Sequence, residues 1–199
     1  MLEELARTDI TKEESTRREL ETAIYLFFFE GDEISIHVLA SSAAQILTDV
    51  CKNKKVKSFR DMLIEFVNPG NEKLASNKLK EAYNYFKHAN HDTDNQLERF
   101  HPGVNGPILF SCCYDYQHAF KRAIPELPSS LLIFFLWYFA VHPEMMPNGI
   151  PATEQIFEAF DGLDQKPEPE QLRAGRELLH AYLLDQGEKL PVLPLRGFC

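Results

Sequence analysis

The chain has 199 residues, 44% hydrophobic and 12% aromatic, enough to fill the core of one domain and too many for wholesale disorder. With 9 Gly and 12 Pro, collagen-like and low-complexity classes are excluded, and a net charge of −9 disfavours a general polyanion binder. Four cysteines without a Cys-x-x-Cys pair exclude a disulfide scaffold and a thiolate zinc site, and read as reduced thiols.

The segment Met1-Leu2-Glu3-Glu4-Leu5 has neither the basic start nor the apolar run of a signal peptide, so the cytosol is the expected location. Between Thr11 and Glu30, Leu20, Ala23, Ile24, Phe27 and Phe28 recur at helical spacing and predict a first helix stopped by Gly31. A second helix, from Ile34 to Cys51, is expected to bury Ile36, Ala40, Ala43, Leu47 and Val50. Its Ala40-Ser41-Ser42-Ala43-Ala44 run is small enough for close approach, and the pair reads as an αα-hairpin. His37 shares a face with Ala40, Ala44 and Leu47 and is expected as a partly buried core histidine.

Lys52 to Arg60 is the one basic cluster. Cations there offset the negative pole of the second helix; the other reading is contact with RNA or an acidic partner. Ser58 and Asp61 form a capping-box pattern for a short third helix with Phe59, Met62, Leu63 and Phe66 on its apolar face. Asn68-Pro69-Gly70-Asn71 is a turn signal. A fourth helix from Glu72 to Ala89 packs Leu79, Ala82, Tyr83 and Phe86 and turns Lys80, Asn84, Lys87 and His88 outward.

A polar loop leads to a fifth helix from Pro107 to Arg122, where adjacent Cys112 and Cys113 cannot face the same way, so one is expected in the core. Ser129 or Ser130 is expected to cap the apolar stretch Leu131 to Val141. A bilayer span needs about 20 residues, so this shorter stretch predicts a buried core helix. A short helix near 152–160, a last one from Pro169 to Asp185 and an extended tail over 186–199 complete the chain. Without β alternation or an internal repeat, the expected fold is all-α: a single helical-bundle-like domain over 1–199, with about seven or eight helices around the buried 131–141 helix.

The segment Tyr83 to Asp92 carries the most suggestive chemistry. Asn84, His88 and His91 recur at i, i+4 and i+7, with Asp92 and Asp94 just beyond. Imidazole beside carboxylate can serve as a general acid or base, line a polar ligand pocket, or ligate a metal. The same residues also suit a helix C-terminus and its following turn. Asp115-x-x-His118 adds a second pair to the candidate ligand-binding set, but no Glu-x-x-His occurs, and neither a metal nor a cofactor is expected.

The NYFKHA helix with its acidic loop, preceded by IYLFFFEGDEISIHVLASSAAQIL, resembles a bacterial all-helical family with an N-x-F-K-H-A…D signature. More distantly, the opening hairpin resembles HEPN-type domains, many of which are ribonucleases or nucleotidyltransferase partners in toxin–antitoxin systems. That family carries an Arg-x4-6-His signature. Here Tyr83 stands at the arginine position before Asn84 and His88, while Arg173-x6-His180 on the last helix is a formal match. The resemblance implies an endoribonuclease in which His88 or His180 acts as acid or base on a ribose 2′-hydroxyl. The acidic charge favours the other expectation, a non-catalytic protein that binds a protein or small-molecule partner. A homodimer is compatible with the pattern; a membrane role is not expected.

Overall fold

In the computed structural model the described residues are 9–88, 96–98, 100–145 and 158–187. Among them the chain forms seven α-helices linked by turns, with no strand, in agreement with the all-α expectation.

Helix α1 (Lys12–Phe28) starts at Thr11, whose side chain accepts from the Glu14 N–H at 3.1 Å, and Glu13 and Glu14 complement its positive pole. Its end departs from expectation. Glu30, not Gly31, takes the left-handed backbone at φ 52°, and the Gly31 N–H closes on the Leu26 carbonyl at 2.8 Å. Glycine is needed for space, since a Cβ at position 31 would lie 2.9 Å from the Leu26 side chain. Asp32 then caps α2 (Glu33–Lys54) by accepting from the Ser35 N–H at 2.7 Å.

The small face of α2 is used as its composition predicts. Ala40 and Ala43 are fully buried, and the Cys112 thiol of α5 (Asn105–Phe120) reaches the Ala40 carbonyl at 3.4 Å. Helix α5 begins before the expected Pro107 because the 3-10 turn Pro102–Val104 feeds directly into it. With α1, α2 and α6 all packed against α5, Cys112 and Cys113 are both buried, although they point to different sides of the helix.

Helix α6 (Ser129–Val141) is the predicted core helix, with Ser130 through Phe139 all buried. Neither serine caps it: the N-cap position falls on Pro128, with no side-chain cap. The Trp137 indole N–H donates to the Gln171 carbonyl at 2.8 Å, tying α6 to α7 (Glu168–Asp185). Phe28 of α1 meets both Phe134 and Trp137, and α7 presses on it through Gly175, where a Cβ would lie 2.2 Å from the Phe28 ring. By length and composition alone α2 could cross a membrane, with a mean hydropathy of 1.3, but Ile36, Ala40, Ala43 and Leu47 are buried in this bundle.

Helices α3 (Phe59–Glu65) and α4 (Glu72–Lys87) stand apart, and neither contains a buried residue. The expected apolar faces are therefore only partly used: Phe66 is 89% and Leu79 50% exposed. Of the expected 152–160 helix only its last residues are described, with Glu158 and Ala159 helical, and the tail from 188 onward lies outside the described residues.

The tight seat of Phe28 on Gly175 yields a test. Overpacking costs about 1–3 kcal/mol, more than the gain of about 0.5–1 kcal/mol in helix propensity. Gly175→Ala should therefore lower Tm by several degrees, about 2–4 °C per kcal/mol at this size. Trimming the ring in a Gly175→Ala/Phe28→Leu double variant should recover part of that loss relative to Phe28→Leu alone.

Candidate functional site

The residues singled out by sequence occupy separate places. His88 ends α4, its N–H donating to the Asn84 carbonyl at 3.0 Å, and both side chains are exposed. His91, Asp92 and Asp94 lie outside the described residues. The His118 Nδ1–H donates to the Tyr114 carbonyl at 2.8 Å, and its ring stacks on Tyr114 in the same helix. Arg173 is exposed, 3.9 Å from Glu177, whereas His180 rests against the rings of Phe29 and Tyr25. Among the described residues no hydrogen bond or ion pair is seen between the side chains of these candidates, and no group of three His, Cys, Asp or Glu is placed to hold a metal ion.

Asp115 has a definite local role. It is 4% exposed, and its Oδ1 accepts from the Phe59 N–H at 2.6 Å. That places a buried carboxylate at the first turn of α3, beside the predicted capping box, in which the Ser58 hydroxyl accepts from the Asp61 N–H at 3.2 Å. Burial, aided by the nearby Asp61 charge and opposed by the Phe59 N–H, pushes the Asp115 carboxyl up to about 7.

The basic cluster is drawn into contacts. Lys54 donates to the Ala119 carbonyl at 2.6 Å and lies over the Phe120 ring, Lys57 pairs with Glu65, and Arg60 donates to Ser76. The described thiols are all buried, and burial pushes Cys51 up to about 11 and raises Cys112 and Cys113 as well. They are protonated at neutral pH and poor nucleophiles.

His37 is more deeply set than expected, at 3% exposure. Asn105 donates its amide to the Glu33 carbonyl at 3.1 Å, so its Oδ1 faces His37 Nδ1, 3.0 Å away, and the histidine donates from that nitrogen. Nε2 has no partner among the described residues, and the rings of Phe86 and Phe100 lie nearly perpendicular to the imidazole. Burial lowers the His37 pKa and keeps the ring neutral. The triad of His37, Asn105 and Phe86 joins α2, α5 and α4.

A concavity of ligand size lies elsewhere. An open cleft of about 680 Å³ is bounded by the first turns of α1, the end of α5 and the start of α6. Arg17 lies between Glu14 at 2.9 Å and Glu21 at 2.8 Å. From the far side Arg122 reaches Glu13 at 2.9 Å, and the Tyr116 hydroxyl donates to the same carboxylate at 3.3 Å. Bonds from Arg17 and Arg18 hold the Glu14 carboxyl below its ordinary range, while burial and Glu13 raise the Tyr116 phenol. With Glu126 on the rim, the lining carries four carboxylates against two guanidinium groups. Sequence reasoning missed this cleft. Its only local signal is the Glu14-x-x-Arg17-x-x-x-Glu21 spacing, and the rest of the wall comes from over 100 residues away.

Asp115 generates a pH test. Its folded pKa of about 7 lies above the unfolded value of about 3.9, so its stabilising contribution is complete below that lower value and is lost as pH rises through the higher one. Asp115→Asn keeps an acceptor for the Phe59 N–H without the buried charge. Between about pH 5 and about pH 7, wild-type stability should fall relative to Asp115→Asn, by at most about 1.4 kcal/mol per pH unit, in denaturant titrations of both proteins.

No family model, curated protein or solved structure matches this chain.

Proposed function

We propose that the protein is a non-catalytic binding protein whose ligand site is the cleft between α1, α5 and α6. The observation that carries this reading is the composition of the cleft wall: four carboxylates in a space of about 680 Å³ against Arg17 and Arg122 in the lining and Arg18 bonded to Glu14 from outside it, an excess of one negative charge. Each arginine there is already neutralised, Arg17 by Glu14 and Glu21 and Arg122 by Glu13. The excess negative charge therefore favours an incoming cation. The fitting class is a small amine or guanidine, or a basic side chain offered by a partner. Tyr116 is buried in the wall at 2% exposure and contributes its hydroxyl, which donates to Glu13 and helps fix that carboxylate at the cleft.

The endoribonuclease implied by the HEPN resemblance would need a cation and an imidazole converging on one phosphodiester. Arg173 and His180 stand two turns apart on α7, one beside Glu177 and the other against Phe29, and His88 stands exposed at the end of α4. This arrangement favours binding over RNA cleavage.

Calorimetric titration with agmatine and spermidine should show saturable binding that Glu21→Gln and Glu126→Gln each weaken about three- to tenfold. Absence of heat and of any thermal shift with both probes would overturn the reading. In parallel, structured and unstructured RNA should remain intact. Cleavage abolished by His88→Ala or His180→Ala would establish the enzyme instead.

A further inference from the structure

Among the described histidines only His37 is buried. Its Nδ1–H is engaged by Asn105 Oδ1, and the Asn105 amide is itself committed to the Glu33 carbonyl, so Asn105 cannot turn to offer a second acceptor. Nε2 is enclosed without a partner among the described residues. Phe86 of α4 and Phe100 pack on the imidazole with ring centroids 5.8 and 5.2 Å away, and 5.2 Å from each other, all nearly perpendicular. A neutral imidazole tolerates this setting. A proton on Nε2 creates a buried N–H with no acceptor and a buried charge with no anion, both of them costly.

The ionisable side chains of the surrounding elements are turned elsewhere. On α2 itself, Glu33 is exposed and contributes only its carbonyl. From α4, Lys87 donates to the Tyr83 hydroxyl at 2.9 Å and His88 is exposed. Beyond Phe100, His101 Nδ1 accepts from the Gly103 N–H at 3.1 Å. Glu19 of α1 bonds to Ser42, and residues 105–109 of α5 contain no ionisable side chain. The charge of the ring is governed by burial, with Asn105 opposing it.

The three helical elements that meet at His37 are unequally held. Helices α2 and α5 are locked together through Ala40, Ala43, Leu47 and Cys112, all buried, whereas α4 contains no buried residue. A strain at their junction is therefore relieved by the least anchored member, whose Phe86 leaves the ring. We propose that His37 is the trigger of an acid-released latch: protonation at Nε2 frees the C-terminal end of α4 from the junction of α2 and α5. In the released state the ring has the ordinary value of 6.5, and in the docked state a lower one. Docking is thus at full strength above about pH 6.5 and weakens as pH falls below it, by up to about tenfold per pH unit until the docked ring itself titrates.

Hydrogen exchange of the full chain, read by mass spectrometry at about pH 7 and about pH 5 and corrected for the intrinsic rate at each, tests the latch. Peptides from the second half of α4 should exchange about five- to thirtyfold faster at the lower pH, while α6 peptides keep their protection. His37→Gln, which cannot take up a proton, should remove the α4 response. Asp115 titrates in both proteins, so the difference between them belongs to His37. NMR of the wild type should show the His37 ring gaining its proton over the pH range in which α4 loses protection, which supports the latch even where the variant does not fold. Equal α4 exchange at both pH values, a loss shared by α6, or an acid response that survives His37→Gln would overturn the proposal. So would a wild-type ring that becomes protonated while α4 stays protected.

Discussion

A helix that is apolar on every side must be covered on every side, and α6 imposes that condition on the rest of the molecule. Ser130 through Phe139 leave no face for solvent, so α1, α5 and α7 are arranged around them. Full burial of a large apolar side chain is worth about 1.5–3 kcal/mol, so the α6 side chains make a large share of the driving force. The cover is close enough to dictate small residues elsewhere. Phe28 can lie against Phe134 and Trp137 only because α7 offers Gly175 at the crossing. Likewise α2 and α5 approach closely enough for Cys112 to reach a backbone carbonyl at Ala40.

Once that core is closed, little apolar surface is left to seat α3 and α4, and polar contacts make up part of their attachment. Asp115 crosses from α5 to the first turn of α3, while the His37–Asn105 pair and its aromatic neighbours hold the end of α4. Both are buried hydrogen bonds between residues far apart in the chain, a kind of contact that is costly to leave half made. Phe59, packed edge-on against Phe110 and Tyr114, adds an apolar anchor at the base of α3. The hairpin is thus fixed at its base, and its far end remains exposed.

Helical periodicity carried most of the architecture. The Leu20–Phe28 stripe, the small face of α2, the apolar α6, the last helix and the Ser58–Asp61 box all sit where spacing placed them. What spacing could not show is which amphipathic faces would find a partner: the patterns of α3 and α4 look like those of the buried helices, and only the filled core distinguishes them. The roles of Asp115 and Asn105 were equally hidden, because their partners lie 56 and 68 residues away. The Asn84–His88 spacing, by contrast, was legible but ambiguous, since an imidazole at a helix end looks the same in sequence whether it serves a site or terminates the helix.

Charge shows most plainly how far composition reaches. A total of −9 describes a surface that no partner meets as a whole. Screening restricts what a ligand feels to about 8–10 Å, so the four carboxylates and two arginines of the cleft act as one local field and the basic cluster Lys52 to Arg60 as another, of opposite sign. The mean charge disfavours anionic partners in general. Residues 52–88 nevertheless hold nine of the basic residues and leave 26 acidic ones elsewhere, so the preference depends on the face presented. The acidic excess discourages a polyanion at the cleft and says nothing of the basic cluster, so a charge total bears on binding only once the helices have sorted it into surfaces.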